Sequence, residues 1–160
     1  MDKISLQKGV RFALARIEEC SACVETRLVK YKVGIALKEM GFNSPTDAYV
    51  YKCYPYDTIS ARSFKNSYSK VRVAIPTVRD AVTFFYNRMR ICIKINRKTD
   101  GTQSTFRYSI GTVIPVALDK IEFFPILEHK DPSYSIEDEV NDALLKMYEL
   151  FKKCKKIKSE

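Results

Sequence analysis

A chain of 160 residues with 46% hydrophobic and 29% charged side chains, five glycines and six prolines has the composition of a folded domain, which excludes collagenous, low-complexity and largely disordered classes. Its 28 Lys and Arg against 19 Asp and Glu leave a formal charge of +9, a bias toward phosphate backbones, anionic surfaces or acidic proteins as partners. No run approaches the ~18 apolar residues of a membrane-spanning helix.

Five cysteines cannot all pair, and residues 1–19 lack a signal peptide's apolar run. A reducing, cytoplasmic setting is therefore expected, with a viral particle as the other setting considered. One domain spanning 1–160 is expected, because no linker, repeat or biased tract interrupts the chain.

In chain order, Leu6, Val10, Ala13, Leu14, Ile17, Val24 and Leu28 recur at helical spacing and predict an amphipathic helix beginning near Ser5. A second helical stretch carries Leu28, Tyr31, Ile35 and Met40, with Gly41 as its stop. After the turn NSPTD, alternation predicts a strand at 49–53, with Tyr49, Tyr51 and Cys53 facing the core. Residues 55–69 read as polar and mostly loop, and 71–75 as a strand with Arg72 on its opposite side.

Thr77 with Asp80 three residues on marks a helix start, and Val78, Ala81, Val82, Phe85 and Met89 give that helix one apolar face to about Arg88. Asp100-Gly101 between alternating runs predicts a hairpin over 91–110. A two-residue corner there sets Ile95 opposite Phe106, Ile93 opposite Tyr108 and Ile91 opposite Ile110, and brings Lys94 opposite Arg107 on the outer face. A further strand is predicted at 120–124 between Pro115 and Pro125. Ser135 with Asp138 starts a last helix whose stripe runs from Ile136 through Val140, Leu144 and Met147 to Cys154.

The expected fold is thus α+β: a small antiparallel sheet containing the 91–110 β-hairpin, packed against N-terminal, central and C-terminal helices. Two groups of residues are candidates for binding nucleic acid. The first is the hairpin's basic set, Arg90, Lys94, Arg97, Lys98 and Arg107, on a ribbon narrow enough for a DNA groove. The second lies in the stretch YVYKCYPYDTISARSFKNSYSKVRV, where aromatics interleave with cations: Lys52, Tyr54, Tyr56, Arg62, Phe64, Lys65 and Tyr68. Stacking rings beside positive charge are what single-stranded nucleic acid needs.

Other motifs point to less. Cys20 and Cys23 have the spacing of half a zinc or redox site, but lie within a helical pattern and lack a second pair. The lysines of the C-terminus follow the dipole of a helix that begins with acids. The single histidine, in Glu128-His129-Lys130-Asp131, has no nucleophile motif beside it.

The expectation is a non-enzymatic polyanion-binding protein, with the DNA or RNA backbone as partner and no cofactor, metal or membrane insertion. The alternative is a structural or adaptor subunit of a viral or other large assembly, or an inhibitor docking on an acidic protein surface, with oligomerisation open.

Overall fold

The two period-2 regions of the middle of the chain each build a separate three-stranded antiparallel sheet. The computed structural model describes residues 8, 10, 11, 24–118 and 120–159. Lys8, Val10 and Arg11 are helical, and residues 12–23 of the expected N-terminal helix, with Cys20 and Cys23, lie outside the described residues. Its expected end is corrected: Val24–Thr26 is a short 3-10 turn and Leu28 forms an antiparallel bridge to Thr77, so neither helix expected to carry Leu28 includes it.

In the first sheet β1 (Thr46–Tyr51) lies between β2 (Tyr54–Phe64) and β3 (Arg72–Ala74). In the second, β5 (Gln103–Ala117) lies between β4 (Cys92–Asp100) and β6 (Lys120–Glu128). The helices are α1 (Tyr31–Glu39), α2 (Val78–Met89) and α3 (Ile136–Ser159). The α+β class read from the sequence holds, with its strands divided between two sheets.

Local chemistry explains the helix boundaries. Thr77 Oγ1 accepts the Asp80 amide at 3.2 Å, and Ser135 Oγ accepts that of Asp138 at the same distance. Each thereby satisfies an amide that the first helical turn would otherwise leave unpaired. Acids occupy the first turn of α3 and lysines its last, as the helix dipole favours.

One continuous apolar cluster joins both sheets to all three helices. It includes Val33 and Leu37 of α1, Val82 and Phe85 of α2, Ile93, Ile95 and Ile110 of the second sheet, and Leu144 and Met147 of α3. Each such side chain, fully buried, favours folding by about 1.5–3 kcal/mol relative to leaving it in water.

The hairpin keeps its predicted face but not its predicted register. Ile91, Ile93, Ile95, Phe106, Tyr108 and Ile110 are all buried, yet Ile95 pairs with Tyr108, Ile93 with Ile110 and Asp100 with Gln103. The corner residues are therefore Gly101 and Thr102, and Gly101 takes φ +61°. An Asp100-Gly101 corner would require Asp100 as well as the glycine at positive φ. Moving the corner along by one leaves that conformation to glycine alone, the arrangement of a type II′ turn. Pairing shifts by two residues, so every side chain stays on its original side of the sheet. The expected Lys94/Arg107 pair is not formed: Lys94 faces Ser109, and Arg107 faces Asn96.

Three further expectations are corrected. Residues 55–64, within the 55–69 stretch expected to be mostly loop, belong to β2; register shifts in the β1–β2 ladder and a positive φ at Ser63 remove the alternation that would have announced it. Pro115 and Pro125 sit inside β5 and β6 rather than outside them, close to register shifts in a ladder whose β6 is an edge strand.

Finally, Ala48 and Val50 face inward on β1, and Tyr49 and Tyr51 outward. The inner side has little room. α1 approaches so closely at Gly34 that a Cβ there would meet Ile75 at 2.7 Å and Val73 at 3.4 Å.

Candidate nucleic-acid interface

The outward turn of Tyr49 and Tyr51 assembles a row of aromatic rings. Tyr49 stands 5.7 Å from Tyr51 and 4.9 Å from Phe64, and Phe64 stands 6.1 Å from Tyr68, all centroid to centroid. At the other end Tyr51 pairs across the strands with Tyr54, which meets Tyr56 edge-on at 5.3 Å. Two ring groups, Tyr68 with Phe64, Tyr49 and Tyr51, and then Tyr54 with Tyr56, thus follow one another along one sheet, joined by the strand pairing of Tyr51 with Tyr54. Tyr56 is 81% exposed, Tyr68 61% and Tyr54 56%, so the ends of the row are open to water while Phe64 at 5% is covered.

A cation is built into the row. The Arg72 guanidinium carbon lies 5.1 Å from the ring centres of both Tyr49 and Phe64. Such contacts are worth about 0.5–2 kcal/mol each and favour keeping the guanidinium over the rings. Among the described residues no carboxylate pairs with Arg72, so its charge remains open to an anion.

Lys38 of α1 fixes the ground beneath, donating to the carbonyls of Ser69 at 2.8 Å and Arg72 at 2.6 Å. Burial, and then the nearby Lys52 charge, hold its ammonium below the ordinary lysine range.

Of the second candidate group, Tyr54, Tyr56, Phe64 and Tyr68 therefore belong to one surface, and exposed Lys52 occupies the turn between Tyr51 and Tyr54. Phe64 is itself buried beneath its neighbours. Arg62 is exposed on β2 and Lys65 half-buried just past its end, both outside the stacked set. Sequence reasoning missed Tyr49 and Tyr51 as surface members. The available signal was the small size of Ala48 and Val50, which suits a tightly covered inner face better than two phenol rings do.

The hairpin's cations do not share one plane. Lys98 and Arg107 are exposed on the side opposite the core-facing isoleucines. Arg97 lies on the isoleucine side, beyond the end of the core, where its Nε donates to Ser104 Oγ at 3.0 Å. The Lys94 ammonium lies 5.7 Å from the ring centre of Phe123. Arg90 is not on a strand at all: it caps α2 in a left-handed conformation, φ +59°, and its amide donates to the Tyr86 carbonyl.

Elsewhere, Cys92 is buried, with its thiol pushed up to about 12 by desolvation, whereas Cys53 and Cys154 are exposed. No cluster of three metal-ligating side chains occurs among the described residues, and no described helix is long and apolar enough to cross a membrane. No family model matches the chain, and it matches none of the curated proteins or solved structures compared with it.

Proposed function

We propose that the protein binds single-stranded nucleic acid without catalysing its conversion, on the outer face of the first sheet. The observation that carries this reading is the Arg72 guanidinium lying over both Tyr49 and Phe64, at the middle of a row of rings whose ends, Tyr54, Tyr56 and Tyr68, are exposed. Unpaired bases stack on such rings at about 1–3 kcal/mol each, whatever their sequence, while a fixed cation and the neighbouring Lys52 take up phosphate charge. A duplex hides its base faces and gains only the electrostatic part. Lys98 and Arg107 on the hairpin provide further phosphate contacts that need no fixed register.

Fluorescence anisotropy with a labelled single strand and the matching duplex tests the proposal. The single strand should bind at least about tenfold more tightly, and both affinities should fall as salt rises. No salt-sensitive binding to single strands would overturn it.

A second reading, an adaptor subunit, is favoured by exposed apolar side chains where β5 meets β6: Ile114, Val116, Leu118, Phe124 and Ile126. Light scattering separates the two. A stable oligomer without nucleic acid supports the adaptor; a monomer that gains mass only with an added strand supports binding.

A further inference from the structure

The last turns of α2 and α3 enclose an open groove of about 300 Å³, lined by Arg88, Met89, Phe151, Cys154, Lys155 and Lys158. Positions 151, 154, 155 and 158 form one stripe of α3, since residues three and four apart share a helix face. Arg88 and Met89 come from α2, so the groove exists only because the two helices pack together. It shares no residue with the tyrosine row.

Its floor and rim differ in chemistry. The half-buried Phe151 ring and the Met89 thioether supply a flat apolar base. Above that ring the Arg88 guanidinium carbon lies 5.9 Å from the centroid and the Lys155 ammonium 5.0 Å. Lys158 follows one turn further along.

Among the described residues no carboxylate pairs with Arg88, Lys155 or Lys158. Among the described acids of the same stretch of α3, Glu149 is engaged elsewhere, accepting from Lys146 at 2.9 Å. The helix dipole accounts for lysines at the end of α3, but not for an arginine brought from another helix to the same ring. Converging like charges repel, and a bound anion removes that repulsion.

We infer that this groove is a binding site for a nucleotide unit, its phosphate drawing Arg88, Lys155 and Lys158 to itself and its base packing against the apolar side of the groove formed by Phe151 and Met89. The volume lies at the lower end of small-molecule sites, enough for one such unit and too small for a longer segment of strand. The unit can come from a free mononucleotide or from a strand, and the two sources share this chemistry. The inference does not depend on the tyrosine row.

Cys154 reports on occupancy, because its thiol lines the groove and is exposed, while Cys53 sits beside Tyr54 and reports on the other surface. The experiment measures maleimide labelling of each cysteine by peptide-resolved mass spectrometry, with adenosine monophosphate, adenosine, inorganic phosphate or an oligonucleotide. Every rate is divided by the ligand-free rate of the same variant. Adenosine monophosphate should slow Cys154 about tenfold when present at ten times its dissociation constant, and leave Cys53 unchanged. Adenosine and phosphate at the same concentration should slow neither cysteine. The exposed double substitution Lys155→Glu with Lys158→Glu should abolish the protection.

Protection by the oligonucleotide alone also supports the site and assigns the unit to a bound strand. Protection of Cys154 by neither the mononucleotide nor the oligonucleotide overturns the inference. So does protection by phosphate equal to that by the mononucleotide, since the ring would then contribute nothing. Failure of the tyrosine-row proposal would show instead as unprotected Cys53 with the oligonucleotide.

Discussion

His129 Nδ1 lies 2.8 Å from Glu139 Oε1, an oxygen that also accepts the backbone amide of Tyr108 at 2.9 Å. The imidazole stacks on the Tyr108 ring, 4.7 Å between centroids and 14° between planes. Glu139 is wholly buried, and its Oε2 has no hydrogen-bond partner among the described residues. A buried carboxylate with one oxygen unsatisfied relies on the partners of the other. This side chain ties the first turn of α3 to the middle of β5, so the pair belongs to the scaffold.

Removing either partner should therefore destabilise the fold while leaving nucleic-acid affinity unchanged. His129→Ala and Glu139→Gln should each lower unfolding stability by about 2–3 kcal/mol. The double variant should lose less than the sum, by about 1 kcal/mol or more. Urea denaturation of the four proteins checks this, and additive losses would show that the two groups act separately.

The buried thiol of Cys92 makes stability fall on the alkaline side. Its folded-state value of about 12 exceeds the ordinary 9.0, so from pH 9 upward the unfolded chain loses a proton that the folded one keeps. Its contribution is complete below pH 9 and is lost between pH 9 and 12, at up to about 1.4 kcal/mol per pH unit. Tyr86 and Tyr108, both raised chiefly by burial, act in the same direction. Cys92→Ala should make the alkaline slope shallower in denaturation curves across that window. At neutral pH, maleimide should label Cys53 and Cys154 rapidly and Cys92 only on unfolding.

Within the tyrosine row, the open rings and the fixed cation should separate in their effects. Tyr56→Ala should weaken single-strand binding by about five- to tenfold with little change in salt dependence. Arg72→Ala should weaken it and also reduce the salt slope by about one counterion. Lys98→Glu with Arg107→Glu should reduce the slope while leaving thermal stability intact. Equal affinities for Tyr56→Ala and the parent would remove stacking from the account.

At Gly111 the strands β5 and β6 approach so closely that a Cβ would lie 2.1 Å from the Phe124 carbonyl oxygen and 2.8 Å from Phe123 Cζ. The first of these is backbone and cannot rotate aside. Gly111→Ala should lower stability by about 3 kcal/mol, read from the denaturation midpoint, because the β5–β6 ladder must shift. A loss below about 1 kcal/mol would mean that the ladder is pliant there.

Elements that depend on local chemistry were legible in the sequence. Thr77 and Ser135 announced their helices, and alternation set the buried face of the hairpin. What failed was finer. Face depends on parity alone, whereas pairing depends on which two residues take the corner, and glycine's preference moved it past Asp100.

β2 left no periodic trace because its ladder is broken twice along a six-residue partner. Tyr49 and Tyr51 were assigned to the wrong side because alternation does not say which of its two sets is inward. The closeness of α1 to β3, a tertiary fact, decides that. The partners of Arg72 and His129 lie eight to twenty-three residues away and meet only in the folded chain.

The interruptions in β2 have a consequence beyond concealment. A straight marginal strand offers its free amides and carbonyls as a template for a neighbour's backbone. Here that margin is kinked, so sticky phenol rings can stand in water without inviting copies of the molecule to zip together into fibres.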